Sequence, residues 1–290
     1  MTALGPPAEL IPARPQTLWG WPAVANFALG GLGAGLYVAA AVGAGLGVSP
    51  AVRIAAWLGP ALVLAGFAAV ATEAGRPLRG PRVLTRVLTS WMSRELWLGG
   101  AFVLLAAAEL VAPGPVPRLG AALAAAALAL AQGFILRRAR GIAAWDVPPM
   151  PLVFLASALV SGTGLWILVE VAGGRPLGGG ALGLILLVLV GGAFVWLAYV
   201  TWSREDAFVK ALAPLSADGA AIELVGLGYV LPVALVALGL AVPAWVRVTM
   251  PLAAALMIAG QVRAKAALVL RAGQLRPIAL PHLRLSRRSP

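Results

Sequence analysis

The sequence predicts an all-α integral membrane protein with eight transmembrane helices. Of its 290 residues, 61% are hydrophobic and only 11% are charged, and the mean hydropathy is +0.94. The apolar residues form uncharged blocks long enough to cross a bilayer, which takes about 20 residues for a hydrocarbon core of roughly 30 Å. Too few charges remain to cover a water-exposed surface, so the composition excludes a soluble enzyme.

Cutting the chain at its charged residues gives the boundaries of the eight spans. In chain order they are predicted at Trp21–Val48, Ala51–Thr72, Met92–Val111, Arg118–Arg137, Pro148–Glu170, Gly179–Val200, Glu223–Val242 and Ala244–Arg263. Arg247 falls in the first turn of the last span and has to extend its side chain to the interface. We expect two four-helix bundles, over residues 1–147 and 148–270, followed by a basic tail over residues 271–290.

The basic residues predict the orientation of these spans. Eight spans put both termini on one side, which then receives eighteen basic residues, against four on the other side: Arg53, Arg118, Arg175 and Arg247. By the positive-inside rule we expect a multi-pass protein of the bacterial cytoplasmic membrane with cytoplasmic termini. A docking face for an acidic partner would give the same bias. Nucleic-acid binding is not expected, because no basic run has interleaved aromatic residues.

The residue types needed to hold a redox metal are nearly absent. The chain has no cysteine, and its only histidine is His282, in the tail. Haem, iron–sulfur clusters and ordinary zinc sites need those ligands. We therefore expect no metal, haem or iron–sulfur cluster in this chain, so a neighbouring subunit or a diffusible carrier must hold any electrons. The middles of the last four spans carry no ionisable residue, which predicts that the chain pumps no protons.

Polar side chains at membrane depth are costly and are therefore candidates for function. The apolar blocks contain few of them: Asn26, Gln132, Ser157, Ser161, Thr163 and Gln261. The hydroxyls commonly bond to carbonyls of their own helix. The amides of Asn26 and Gln132 lie towards the side of the termini and offer a donor and an acceptor to a carbonyl or hydroxyl ligand. Their alternative role is a hydrogen bond between helices.

Three local segments stand out from the apolar background. The glycine-rich stretch 30–35 lacks the strand and helix of a nucleotide-binding loop, so it favours close helix approach or room beside the helix for a flat ligand. Residues 73–95 hold five arginines and Trp91, which is typical of a loop at lipid headgroups or of an anchor for an acidic partner. Trp145 suits the interface, and Asp146 before Pro148 suits a helix N-cap.

Four of these segments together resemble a known family. They are Trp19–Pro22, Gly30–Leu36, Gly75–Pro77 leading to Thr89–Arg94, and Trp145–Gly162, in order over about the first 165 residues. The chain resembles the NrfD/PsrC family, the eight-helix membrane subunits of nitrite, polysulfide and related reductases that work with molybdopterin enzymes. The last three helices add little to the resemblance beyond their number.

The resemblance implies a membrane anchor that binds quinone or quinol, menaquinone or ubiquinone, near one membrane face. Such a subunit passes electrons between the quinone pool and a docked ferredoxin-like iron–sulfur subunit, which serves a molybdenum or tungsten catalytic subunit. The chain would then be the quinone-reactive subunit of a multi-subunit oxidoreductase and catalyse nothing alone.

The resemblance also nominates residues, which fall into three groups. The quinone-binding candidates are Trp21, Asn26, Arg76, Ser93, Arg94 and Gln132. The docking candidates are Arg79, Arg82, Arg86, Trp91, Trp145 and Asp146. Glu73 and Glu95 are candidates for a proton relay.

The chain departs from the family pattern in the first and fourth spans. Some members place a histidine or tyrosine against the quinone there, whereas these spans hold no histidine, and Ala131 stands about where the tyrosine is sought. Relatives also often work with periplasmic catalytic subunits, unlike the cytoplasmic docking face that the arginines predict. The alternative functions are a small-solute transporter, which needs broken helices and a polar midplane, and a purely structural membrane anchor.

Overall fold

The computed structural model describes residues 8–47, 51–73, 81–175 and 177–280, and most of these residues are helical. The long helices are α1 (Trp21–Gly45), α2 (Val52–Ala71), α4 (Trp91–Val111), α5 (Pro115–Arg137), α6 (Met150–Ala172), α7 (Gly179–Val200), α10 (Leu231–Ala241) and α11 (Val246–Ala266). The shorter elements are strands β1 (Ala8–Ile11) and β2 (Ile278–Leu280) and helices α3 (Pro81–Leu84), α8 (Asp206–Ser216) and α9 (Asp218–Ala221). π-Helical segments, Ile222–Val230 and Ala267–Arg271, join α9 to α10 and extend α11.

Seven helical stretches are long and apolar enough to cross a membrane: Trp21–Gly45, Val52–Ala71, Pro115–Arg137, Met150–Ala172, Gly179–Val200, Gly219–Ala241 and Pro243–Arg271. The prediction of a helical, multi-pass membrane protein is therefore confirmed. Helix α4 has 21 residues but carries Arg94, Glu95 and Glu109, so it is not among the seven. Large apolar side chains such as Leu104, Leu187 and Phe194 are exposed on the outer helix faces, as expected for contact with lipid.

The last predicted span is too short. Its predicted end at Arg263 rests on charge alone, whereas the helix continues through Lys265 to Arg271. The continuation is possible because Arg263 faces outward and pairs with Glu223, while the Lys265 side chain is buried. Helix α8, which was not predicted, is amphipathic and buries Phe208, Ala211, Leu212 and Leu215.

Helix α1 is central, since it packs against α2, α5 and α6. Helix α4 packs on α2 and α5, and α7 and α11 both pack on α6 and α10. Gly35 of α1 and Gly162 of α6 lie backbone to backbone, and a Cβ on either would collide with the other helix. The interpretation of the glycine-rich stretch as a surface for close helix approach is therefore confirmed.

Both ends of the described chain lie on one face of the helices, which we name the terminal face. Strands β1 and β2 pair antiparallel, and isolated bridges join Pro15 to Gln274 and Ile142 to Leu275. The Gln16 amide also donates to the Gly273 carbonyl at 2.8 Å. The opposite face, named the far face, carries the connections α1–α2, α4–α5, α6–α7 and α10–α11.

Candidate functional site

Three buried polar side chains meet between α1, α4 and α5. The Asn26 Nδ2 and Gln132 Nε2 groups donate to Glu95 Oε1 at 2.9 Å and 3.0 Å. Gln132 Nε2 also lies 3.4 Å from the Asn26 carbonyl oxygen. The three residues are only 2%, 1% and 5% exposed, for Asn26, Gln132 and Glu95. We name this group the Glu95 cluster. It joins three candidates from three separate parts of the sequence.

The cluster forms because its members lie at the same depth. Asn26 and Glu95 follow the first residues of α1 and α4 by five and four positions, and Gln132 precedes the last residue of α5 by five. At about 1.5 Å per residue, all three lie roughly 6–8 Å beneath the terminal face. Small residues bring the helices together, since Gly30 leaves space for the Gln132 amide and Gly66 for Asn26.

The Glu95 cluster is rich in unused acceptors. Among the described residues, Asn26 Oδ1 and Gln132 Oε1 are buried and have no hydrogen-bond partner. Asn26 and Gln132 each donate one amide N–H to the Glu95 carboxylate, and Gln132 also donates to the Asn26 carbonyl oxygen. Each unpaired buried acceptor costs about 1–3 kcal/mol. A ligand that donates hydrogen bonds through hydroxyl groups would satisfy these oxygens, whereas a ligand with only carbonyl oxygens would not.

A cleft of about 600 Å³ opens on the terminal face beside this cluster. Its walls come from the segment before α4, the start of α4, the end of α5 and Trp19: Trp19, Leu88, Thr89, Ser90, Trp91, Met92, Arg94, Ile135, Arg138 and Ala139. Trp91 lies one turn before Glu95, and Ile135 lies about one turn after Gln132. The floor of the cleft is therefore about one helical turn from the Glu95 cluster.

Flat and cationic groups line this cleft. The Trp91 and Phe134 rings stack with centroids 4.1 Å apart and planes at 10°. The Arg94 guanidinium lies 4.3 Å from the centroid of the Trp91 ring, which is a cation–π contact. Trp19 is stacked on Trp145 at 5.3 Å. The lining of the cleft thus combines two aromatic side chains, Trp19 and Trp91, with two arginines, Arg94 and Arg138.

Arg94 and Ser93 also hold the preceding segment in place. Arg94 donates through Nε to the Val87 carbonyl and through Nη2 to the Leu88 carbonyl, both at 2.8 Å. The buried Ser93 hydroxyl donates to the Val83 carbonyl. Ser93 was nominated as a quinone contact, but its hydroxyl is used by the backbone. Arg94 borders the cleft, as nominated.

The structure does not bring Glu73 into the site. Its Oε1 accepts a hydrogen bond from the Gly20 amide at 2.9 Å, at the exposed start of α1. A carboxylate in this position stabilises the positive end of the helix. Trp21, nominated for quinone binding, is 66% exposed and does not line the cleft. Its neighbour Trp19 lines the cleft instead.

One docking nomination, Trp145, is incompatible with the geometry, and a second, Asp146, is already engaged in an ion pair. Trp145 is 1% exposed and donates through Nε1 to the Leu268 carbonyl at 2.9 Å, so its ring is not available to a partner. Asp146 does not cap a helix, because α6 begins at Met150 with Pro149 as its N-cap. Asp146 instead lies 3.8 Å from Arg276, which also bonds to Glu205 at 2.9 Å. The charge of Asp146 therefore helps to fasten the C-terminal segment.

The other arginine nominations are only partly described. Arg86 is exposed on the terminal face, where a partner can reach it. Arg82 belongs to α3, and its side chain is outside the described residues. Arg76 and Arg79 lie outside the described residues altogether.

Sequence reasoning missed a buried lysine. Lys265 of α11 is 3% exposed, and its amine lies against Gly31 of α1. It makes no hydrogen bond or ion pair with the described residues. Ser157 and Gln261 line the same small cavity of about 10 Å³, and we name these three residues the Lys265 cluster. The sequence pattern that could have identified Lys265 is its four-residue spacing from Gln261, which puts the two side chains on the same face of a helix. Lys265 lies beyond the predicted end of the last span, Arg263, and near the terminal-face end of the helix rather than in its middle, so the prediction that the chain pumps no protons stays a prediction.

The comparisons with known proteins add no relative. No family model matches the chain, and no curated protein matches it. Among the described residues, no group of three or more His, Cys, Asp or Glu side chains is placed to hold a metal ion. The NrfD/PsrC resemblance therefore rests on the sequence segments alone and stays a prediction.

Proposed function

We propose that this chain is a quinone-binding membrane subunit. It would pass electrons between the quinone pool and a docked ferredoxin-like iron–sulfur subunit of a molybdenum or tungsten oxidoreductase. The observation that carries the proposal is the Glu95 cluster, a buried carboxylate with two amides, about one turn beneath a cleft with stacked aromatic rings and two arginines.

The chemistry of the cluster fits the quinol form in particular. A quinol releases two electrons and two protons when it is oxidised to quinone, and its hydroxyl groups are hydrogen-bond donors. Asn26 Oδ1 and Gln132 Oε1 are unpaired acceptors that would hold such hydroxyls. The Glu95 carboxylate is placed to accept a proton, and the Trp19 and Trp91 side chains give the cleft an aromatic lining that the quinol ring can contact. Glu73 has no part in this proposal, because it bonds to Gly20.

The proposal includes eight spans, with α4 as the eighth. An odd number of crossings would leave the termini on opposite faces, whereas β1 and β2 are paired on one face. The charged groups of α4 have partners, since Glu95 bonds to two amides and Glu109 to Arg118, which lowers the cost of spanning. The proposal divides the helices into two four-helix groups, α1, α2, α4 and α5, and α6, α7, α10 and α11, which pack together through α1 and α5 on α6 and through α1 on α11.

Docking of an iron–sulfur subunit would use the terminal face. Arg86 is exposed there, and Arg94 and Arg138 border the cleft. An acidic partner seated over the cleft would bring its redox centre close to a bound quinol. The positive-inside rule puts this face in the cytoplasm.

The first test is quinone retention by the tagged chain purified in mild detergent. We expect menaquinone or ubiquinone in the solvent extract, together with co-purified iron–sulfur and molybdopterin subunits. Glu95→Gln should reduce the retained quinone at least severalfold, because the amide of glutamine replaces an acceptor by a donor. The matched control, Glu223→Gln, alters an exposed carboxylate on the other half of the chain. A quinone-free protein without partners would contradict the proposal and favour a transporter.

The eight-span topology has its own test, because the chain contains no cysteine. A cysteine at Arg86, exposed before α4, and one at Pro113, between α4 and α5, can each be labelled with an impermeant maleimide. We expect the two positions to be labelled from opposite sides of the membrane. Labelling of both from the same side would mean that α4 does not cross.

A further inference from the structure

On the far face, a groove of about 640 Å³ lies between the end of α6 and the start of α11. Two arginines line it, Arg175 and Arg247. The rest of its lining is apolar or backbone: Val171, Gly174, Leu177, Pro243 and Val246. Since these residues lie at helix ends, the groove is at the level of the lipid headgroups, and the exposed Trp245 beside it is typical of that level.

Arg175 is held in position by the turn that follows α6. Gly174 adopts a φ of +68°, which folds the chain back so that the Arg175 amide donates to the Glu170 carbonyl at 3.0 Å. The guanidinium lies over Gly173, where an added Cβ would be 2.8 Å from Cζ. Its Nε donates to the buried Glu170 carboxylate. Among the described residues, Arg175 Nη2 has no partner. Because that nitrogen is itself buried, a ligand in the groove reaches the oriented guanidinium through the exposed third of the side chain.

Arg247 supplies the uncompensated charge of this groove. It is exposed in the first turn of α11 and makes no hydrogen bond or ion pair with the described residues. Glu170 balances Arg175, so the groove carries one net positive charge. The start of a helix also favours an anion. The complementary ligand is a monoanion with oxygen acceptors, attached to an apolar body that lies along Val171 and Val246.

The same arrangement occurs at the far-face end of the N-terminal helices. There Glu109 accepts from Arg118 at 2.8 Å and from the Gly114 amide at 3.1 Å, and it is 4% exposed. Arg53, in the first turn of α2, lines the same groove of about 440 Å³ and has no partner among the described residues. Each groove thus combines a buried glutamate, an arginine fixed by it, and a free arginine at a helix start.

We propose that these two grooves bind the phosphodiester groups of anionic phospholipids, one lipid in each. The fixed arginine and the free arginine donate to the phosphate oxygens, and the acyl chains continue along the apolar helix faces. This inference is independent of the proposed quinone site, which lies at the other face.

Native mass spectrometry of the full chain in detergent tests this proposal by counting lipids. With phosphatidylglycerol we expect two tightly bound lipids on the wild-type chain, one on Arg247→Gln, and none on the double variant Arg53→Gln, Arg247→Gln. Loss of one charged donor should weaken each site about tenfold or more. The matched control is Arg204→Gln, which removes an exposed arginine from the terminal face and should leave two lipids bound.

Comparing different lipids gives a second test of the proposal. This test uses the wild-type chain, so it does not depend on whether a variant folds. Phosphatidylcholine should bind more weakly, because its choline cation meets the same arginines. Millimolar inorganic phosphate should not displace phosphatidylglycerol, since it lacks the apolar body. Equal binding of both lipids, displacement by inorganic phosphate, or an unchanged lipid count in the double variant would each overturn the proposal.

Discussion

Helix α1 separates two buried polar clusters that differ in how their charge is accommodated. Gly30 lies against Gln132 of the Glu95 cluster, and the next residue, Gly31, lies against Lys265 of the Lys265 cluster. Glu95 receives two amide N–H groups at 2.9 Å and 3.0 Å. Lys265 has no partner among the described residues. The two clusters thus differ in whether the protein supplies hydrogen-bond partners to the buried charged residue.

What distinguishes the Glu95 cluster is that protein dipoles replace water around the charged group. Amide N–H groups from two other helices are directed at the carboxylate. Because these amides present their nitrogens to Glu95, their oxygens, Asn26 Oδ1 and Gln132 Oε1, remain as acceptors for a ligand. In the Lys265 cluster, Ser157 Oγ and Gln261 Nε2 are also unpaired within the described residues. We therefore expect the unpaired groups of the Lys265 cluster to lower the stability of the fold. The Glu95 cluster also contains unpaired groups, but it lies about one helical turn from a cleft that a ligand can enter.

The largest expected effect is the loss of the Glu95 carboxylate. Glu95→Ala leaves the Asn26 and Gln132 amides buried without their acceptor, so unfolding in detergent should become easier by about 3 kcal/mol. Thermal unfolding of the purified chain in detergent measures this loss of stability. Glu223→Ala, which removes an exposed ion pair with Arg263, should change stability by less than about 1 kcal/mol. Equal effects of the two variants would show that the Glu95 hydrogen bonds contribute little.

A smaller effect separates the two neighbouring glycines. An added Cβ at Gly30 displaces the Gln132 amide from Glu95, whereas one at Gly31 meets only the flexible end of Lys265, at 2.9 Å. Gly30→Ala should therefore be less stable than Gly31→Ala by about 1–2 kcal/mol, roughly the value of a hydrogen bond to a charged group. The two variants control each other, because both gain the same helix propensity. Equal melting temperatures would contradict the contrast between the clusters.

The smallest predicted effect is a gain in stability from Lys265. Lys265→Met keeps the length of the side chain and removes an amine without a partner, so stability should rise by about 1 kcal/mol. Lys210→Met, at the only other lysine and exposed on α8, should stay within about 0.5 kcal/mol of the wild type. A marked loss of stability in Lys265→Met would reveal a favourable interaction of the amine and contradict the contrast.

The three residues of the Glu95 cluster can be identified as candidates from the sequence, but the contact between them cannot. Asn26 and Gln132 are visible as amides in apolar blocks, and Glu95 as a carboxylate at a helix start. Their meeting depends on the rotation of three helices, which glycine contacts at Gly30 and Gly66 determine. No pattern within a single helix contains that information.

The misplaced residues have a common physical cause, since each depends on a distant part of the chain. Glu73 bonds to Gly20, and Trp145 is buried beneath Leu268. Asp146 pairs with Arg276 rather than with its own helix. Lys265 was left outside the last predicted span because charge was taken as the end of that span at Arg263, although the helix continues to Arg271.

The central claim is that the cleft above the Glu95 cluster binds quinone, and photolabelling with an azidoquinone tests it most directly. Peptide mapping after illumination should place the label on the segments 88–94 and 135–139, which line the cleft. Excess unlabelled quinone should suppress the labelling, and Glu95→Gln should reduce it severalfold. Labelling that is confined to other helices, or that excess quinone does not suppress, would contradict the claim.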